Sequence, residues 1–150
     1  MLPAMLGRYP VRLTVPVAWG DMDALGHVNN TVYLRWFESA RIEYFRRVGF
    51  FAAPGQGPIL ARATVDFRRP VTFPDAVLCE ATVLRLGTTS VAMSYRVTSE
   101  AQSALAAEGE AVVVAMDYTR GEKIPLPDEL RRRIEELEAS APAIALPASR

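Results

Sequence analysis

The stretch GDMDALGHVNNTVYLRWFESAR gathers two carboxylates, Asp21 and Asp23, the one histidine of the chain, His27, and two adjacent asparagines, Asn29 and Asn30, just ahead of a helical pattern. A free aspartate has a pKa of about 3.9, so at neutral pH it is ionised, able to attack a carbonyl carbon but a feeble base unless burial raises its pKa. The first turn of a helix leaves backbone N–H groups without intrahelical partners, and the peptide dipoles add partial positive charge there. An oxyanion forming on a carbonyl would be stabilised by such donors, by roughly 100- to 1,000-fold each. Asn29, Asn30 and Thr31 occupy the expected helix start, and any of them could equally serve as its cap. Capping and oxyanion binding therefore point to the same residues.

Other chemistries fit the residues poorly. Asp-x-Asp-x-x-Gly opens a calcium loop, but Leu25 and Val32 stand where oxygen ligands are needed. One histidine and one distant cysteine cannot supply the three or four ligands of a zinc site, so no metal is expected. There is no Gly-x-Ser-x-Gly elbow and no glycine-rich phosphate loop. Cys79 shares a strand face with Val77, Ala81 and Val83, which reads as a small buried hydrophobe rather than a nucleophile.

The elements that must position these groups are legible in the periodicity. RLTVPV, Arg12 to Val17, alternates as a strand, with Pro16 suggesting an edge or a bulge. From Asn30 to Val48, Tyr33, Phe37, Ala40, Tyr44 and Val48 recur at helical spacing, and Gly49 makes a stop. APGQGP reads as a loop. Ile59 to Phe67 alternates, with Ile59, Ala61, Ala63, Val65 and Phe67 on one face and Leu60, Arg62, Thr64 and Asp66 on the other. Val77 to Leu86 and Ser90 to Thr98 form a hairpin through LGTTS, and Leu105 to Tyr118 is a long strand with an apolar centre. A last helix runs from about Asp128 to Ala139, with a loosely held tail beyond it. One long helix followed by a run of strands gives an α+β domain with an antiparallel sheet curling around that helix.

A chain of 150 residues fits one domain, residues 1–150. Lys plus Arg and Asp plus Glu number 17 each, so no global field recruits nucleic acid or an anionic membrane. The single cysteine suits a reducing, cytoplasmic setting, and neither a signal peptide nor a membrane-spanning run is visible.

The motif WGDMDALGHVNNTVYLRWFESAR resembles the signature of hotdog-fold acyl-CoA thioesterases of the 4-hydroxybenzoyl-CoA thioesterase type, in which Asp-x-Asp-x-x-Gly-His-Val-Asn-Asn-x-x-Tyr opens the long central helix. The likeness extends to DFRRPVTFPD, from Asp66 to Asp75, and to RLGTTSV from Arg85. The resemblance implies a hotdog fold, a curved five-stranded antiparallel sheet around one long helix with a C-terminal helix, and hydrolysis of an acyl-CoA to free acid and CoA without metal or redox cofactor. It places Asp23 as nucleophile or general base, backbone N–H groups near Asn30 as carbonyl polarisers, and His27 and Asn29 in catalytic or orienting roles, with Asp21 supporting the loop. The alternative for Asp23 and His27 is a hydrogen-bonded pair that only fixes the turn. Arg68 and Arg69 beside Pro70, and Arg85, are candidates for the CoA phosphates, because guanidinium forks suit phosphate oxygens. Tyr33, Trp36 and Phe37 belong to acyl pocket wall or core. A site shared between subunits implies a homodimer, with a homotetramer expected, and pairing edge strands across a two-fold would protect the sheet. Two rivals are a non-catalytic acyl-CoA or lipid-binding module and a hydratase-type enzyme on the same fold. The latter uses an Asp-x-Asn-x-x-His pattern, which the Leu25-Gly26 spacing disfavours.

Overall fold

Asn29 starts the long helix: its side-chain oxygen accepts from the Thr31 N–H at 2.9 Å while its own backbone stays extended. Gly49 ends the helix in the left-handed conformation, φ 75°, and both its N–H and that of Phe50 return to the Phe45 carbonyl. In the computed structural model, which describes residues 9–141, this helix α1 spans Asn30–Val48. Strand β1, Val11–Pro16, precedes it through a 3-10 turn at Trp19–Asp21. After it come β2 (Gln56–Phe67), β3 (Ala76–Leu86), β4 (Ser90–Ser99), β5 (Ala104–Asp117), a two-residue β6 (Glu122–Lys123) and helix α2 (Asp128–Ser140).

The strands form one antiparallel sheet in the order β1-β3-β4-β5-β2, with β6 against β5. Its inner face presents Val77, Cys79, Ala81, Val91, Met93, Tyr95, Val113 and Ala115, all buried against Trp36, Phe37, Ala40 and Tyr44 of α1. The Phe37 ring stacks on Tyr95 at 4.9 Å, and Gly109 of β5 leaves the space that Phe37 fills. This is the α+β hotdog arrangement that the resemblance implies. No helix among the described residues is long and apolar enough to cross a membrane.

Two local expectations need correction. The strand after the helix starts at Gln56, so Gly57 and Pro58 of the expected APGQGP loop are strand residues; β2 lies at a sheet edge, where a proline costs little pairing. Its alternation also slips. A bulge between Leu60 and Arg62 makes Leu60 pair with buried Val113 and Ile59 with outward Val114, so Leu60 joins Ala63 and Val65 on the helix side and Ile59 leaves it. At the other end of the chain α2 includes Ala139 and Ser140, while the rest of the expected tail, 142–150, lies outside the described residues.

Charged groups brace both faces. On the outer face, buried Glu80 of β3 binds Arg12 of β1 at 3.0 Å and Arg96 of β4 at 3.1 Å. On the inner side, buried Glu138 of α2 accepts from Tyr44 Oη (2.7 Å), Val83 N–H (2.7 Å) and Thr82 Oγ1 (2.8 Å), fastening α2 to α1 and β3. Burial raises both the Glu138 carboxyl and the Tyr44 phenol above their ordinary pKa ranges.

Candidate active site

The loop ahead of α1 is closed by backbone bonds. Met22 and Val28 form an antiparallel bridge, the Asp23 N–H donates to the His27 carbonyl at 3.0 Å, and Gly26 turns the tip at φ 81°. The Val28 N–H donates to the Val71 carbonyl, which ties the loop to the segment after β2. Asp21, buried, accepts from Ala18 N–H at 2.9 Å and from the Arg35 guanidinium at 2.8 Å, and its carbonyl receives the Asn29 N–H. It braces the loop.

Asp23 points its carboxylate the other way. One oxygen accepts from the Leu25 N–H at 2.9 Å, and the second accepts from the Asn29 side-chain amide at 3.3 Å. Its carboxylate thus turns to Asn29, and only its backbone N–H bonds to His27. Asn29 spends its carbonyl oxygen on Thr31, through both N–H and hydroxyl, and its amide on Asp23. The Val32 N–H reaches the Asn29 carbonyl, whereas the Asn30 N–H has no partner among the described residues. A carboxylate and an open amide donor therefore flank the same capping residue. In a single chain Asp23 and His27 are both exposed.

Beside this helix start lies a recess of about 260 Å³ lined by His27, Asn30, Tyr33, Phe67, Arg68 and Arg69. The Tyr33 ring meets Trp36 and Phe67 edge-on at 5.0 and 5.1 Å, and burial raises its phenol above the ordinary range. Arg68 is already engaged, donating to Glu108 of β5 at 2.6 and 3.2 Å, whereas Arg69 has no side-chain partner among the described residues. Arg85 sits elsewhere, in a separate recess with Arg62 and Glu110. Within one chain, five of the eight candidate residues, His27, Asn30, Tyr33, Arg68 and Arg69, line this recess; Asp23 and Asn29 bond to each other at the helix start outside its lining, and Arg85 lies elsewhere. Among the described residues no three of His, Cys, Asp and Glu cluster as metal ligands.

The chain matches the thioesterase-like superfamily over residues 17–134, from the end of β1 into α2. It belongs to that superfamily. A thioesterase of Thermus thermophilus, solved in complex with coenzyme A and Zn, is 37% identical, with a TM-score of 0.78 over 89% of this chain and 98% of that one. A 1,4-dihydroxy-2-naphthoyl-CoA hydrolase of Synechococcus sp. (strain WH7803) is 32% identical over 137 residues, covering 83% of this chain and 88% of its own. The long-chain acyl-CoA thioesterase FadM of Escherichia coli (strain K12) is 24% identical over 119 residues, 77% of this chain and 90% of its own.

For this member of the thioesterase-like superfamily, sequence reasoning missed Arg35. Its spacing assigns it to the polar helix face, yet it holds the buried Asp21 across the loop. Its place one helical turn beyond Thr31 was the available signal, since an arginine there can reach back over the helix start.

Proposed function

We propose that the chain is an acyl-CoA thioesterase, hydrolysing a thioester to free acid and CoA at the start of α1. The observation that carries this reading is that Asp23 and the Asn30 N–H, which has no partner among the described residues, lie on either side of one residue, Asn29. The thioester carbonyl oxygen would accept from Asn30 N–H, at the positive end of the helix, while Asp23 acts on the carbonyl carbon. It does so by direct attack, which expels CoA thiolate and forms a mixed acyl anhydride that water then opens to free acid and the Asp23 carboxylate, or by taking a proton from an attacking water whose addition breaks the C–S bond and releases CoA thiol. Asn29 holds the carboxylate in place by its 3.3 Å amide bond, and His27 borders the recess where the pantetheine arm would pass. Arg69, with no side-chain partner among the described residues, is the better-placed phosphate ligand of the arginine pair.

An exposed carboxylate is a weak catalyst until water is excluded. A second protomer is the natural cover. β2 is an edge strand with Ile59, Leu60 and Phe67 each about half exposed (43%, 45% and 52%), and pairing two such edges across a two-fold would bury them beside the recess. We therefore propose a homodimer as the working unit, assembling further into a tetramer, in the cytoplasm. A monomer in sedimentation equilibrium at assay concentration would remove that part of the proposal.

The test of activity is thiol release by the purified protein over a panel of short, long and aryl acyl-CoAs. Release from at least one class supports the thioesterase. Binding without release identifies a non-catalytic acyl-CoA module instead.

A further inference from the structure

Contact between α1 and the sheet is uneven. Toward β2 a cavity of about 350 Å³ opens between them, walled by Leu34, Phe37, Leu60 and Ala63, with Arg41, Tyr95 and Glu38 among its lining. Arg41 is 9% exposed; its guanidinium lies 5.9 Å over the Tyr95 ring and has no carboxylate at short range. One terminal nitrogen donates to Tyr95 Oη at 3.3 Å; the other lies 3.8 Å from Glu38 Oε2, a carboxylate whose side chain is 62% exposed. A guanidinium carries five N–H donors, and a buried charge is costly unless it is paired. The buried acids of this fold are treated differently: Glu80 has two guanidinium partners and Glu138 three short hydrogen bonds. Arg41 is thus an anion-binding group facing an apolar space of ligand size.

Its distance from the reaction centre is fixed by the helix. At about 1.5 Å of rise per residue, Arg41 lies roughly 16 Å along the axis from Asn30. An extended chain advances about 1.2 Å per atom, so roughly a dozen atoms span that distance. The other charges around the cavity are accounted for. Arg35 is held by Asp21, and Glu110 occupies a strand position whose neighbours Gly109 and Ala111 face the helix, so its side chain alternates outward.

We infer that this cavity receives the acyl group and that Arg41 reads a carboxylate at its far end, making ω-carboxyacyl-CoAs, the CoA thioesters of medium-length dicarboxylic acids, the preferred substrates. The inference rests on the thioesterase reading above. The methylenes lie along the apolar walls, and the distal carboxylate replaces the distant Glu38 as a bidentate partner of the guanidinium. An unsubstituted acyl chain fills the same walls but leaves Arg41 without its acceptor.

Matched acyl-CoA pairs of roughly ten to twelve carbons, with and without a terminal carboxylate, test this directly in wild-type protein. A charge-assisted hydrogen-bonded pair predicts a kcat/KM preference on the order of 10- to 100-fold for the carboxylated member. Arg41→Met should bring the ratio close to one. Equal use of the two members by the wild type overturns the inference and leaves the thioesterase reading standing, whether or not the variant folds. A protein silent toward every acyl-CoA sinks both.

Discussion

Gly109 marks the place where Phe37 of α1 crosses β5, and a single methyl there tests the packing that holds the helix in the sheet. A Cβ at this position would stand 2.2 Å from the Thr64 carbonyl oxygen on β2 and 2.6 Å from Phe37 Cε2. The carbonyl belongs to the paired strand and cannot yield without disturbing the β2–β5 ladder. The ring can slide only by giving up its 4.9 Å stack on Tyr95. Overpacking of a core costs about 1–3 kcal/mol, and a lost aromatic pair about 0.5–1.5 kcal/mol. The restricted unfolded state of alanine returns about 0.4–1 kcal/mol. Gly109→Ala should therefore lose about 1–4 kcal/mol. At about 2–4 °C per kcal/mol for a chain of this size, Tm falls by roughly 2–15 °C. Gly20→Ala is the control, because a Cβ there meets nothing within 4 Å. Thermal melts followed by circular dichroism measure both, and a Gly109→Ala protein melting within about 2 °C of the wild type refutes the packing account.

Three other outcomes are expected. Glu138→Leu strands the Tyr44 hydroxyl, Thr82 hydroxyl and Val83 N–H and costs about 1–3 kcal/mol per group, whereas Glu138→Gln can keep all three bonds. Since burial raises the Glu138 pKa, its contribution to stability is fully present below the ordinary carboxylate value and is lost as pH rises through the folded one; denaturant titrations of Glu138→Gln should lack that loss. The Cys79 thiol, pushed up to about 12 by burial, should resist thiol reagents at neutral pH until denaturant unfolds the chain, and immediate labelling of native protein would contradict its placement. Arg69→Ala should raise KM for acyl-CoA with a marked salt dependence, and by more than Arg68→Ala, since Arg68 is already held by Glu108; an unchanged KM for Arg69→Ala removes it from the phosphate site.

What the sequence revealed was chiefly local chemistry. Asn29 as cap, Gly49 as stop, the loop before α1 and the order of strands all follow from residues close together in the chain. What it hid depends on register. The bulge after Leu60 turns Ile59 and Leu60 onto the opposite faces from those that strict alternation predicts, and only the pairing with Val113 and Val114 reveals it. The Glu138 triad joins α2, α1 and β3, and the Arg12–Glu80–Arg96 bridge crosses three strands; neither leaves a trace in spacing along one element. Arg41 has the spacing of one more polar residue on a helix face, yet it is buried against Tyr95, because α1 is covered on more than its apolar stripe. Among the site residues, Arg85 is the one that adjacency to a turn could not place, since its face of the sheet is set by a further register shift between Val83 and Arg85.

The central claim is that the Asp23 carboxylate performs the hydrolysis. Asp23→Asn retains an acceptor for the Leu25 N–H, so the loop should keep its shape and the protein its affinity for acyl-CoA. Steady-state thiol release by this variant, with acyl-CoA binding measured in parallel, is the decisive comparison. Turnover should fall by at least about 100-fold while binding persists, consistent with the loss of a reacting group. A variant that binds acyl-CoA and hydrolyses it at the wild-type rate would contradict the account.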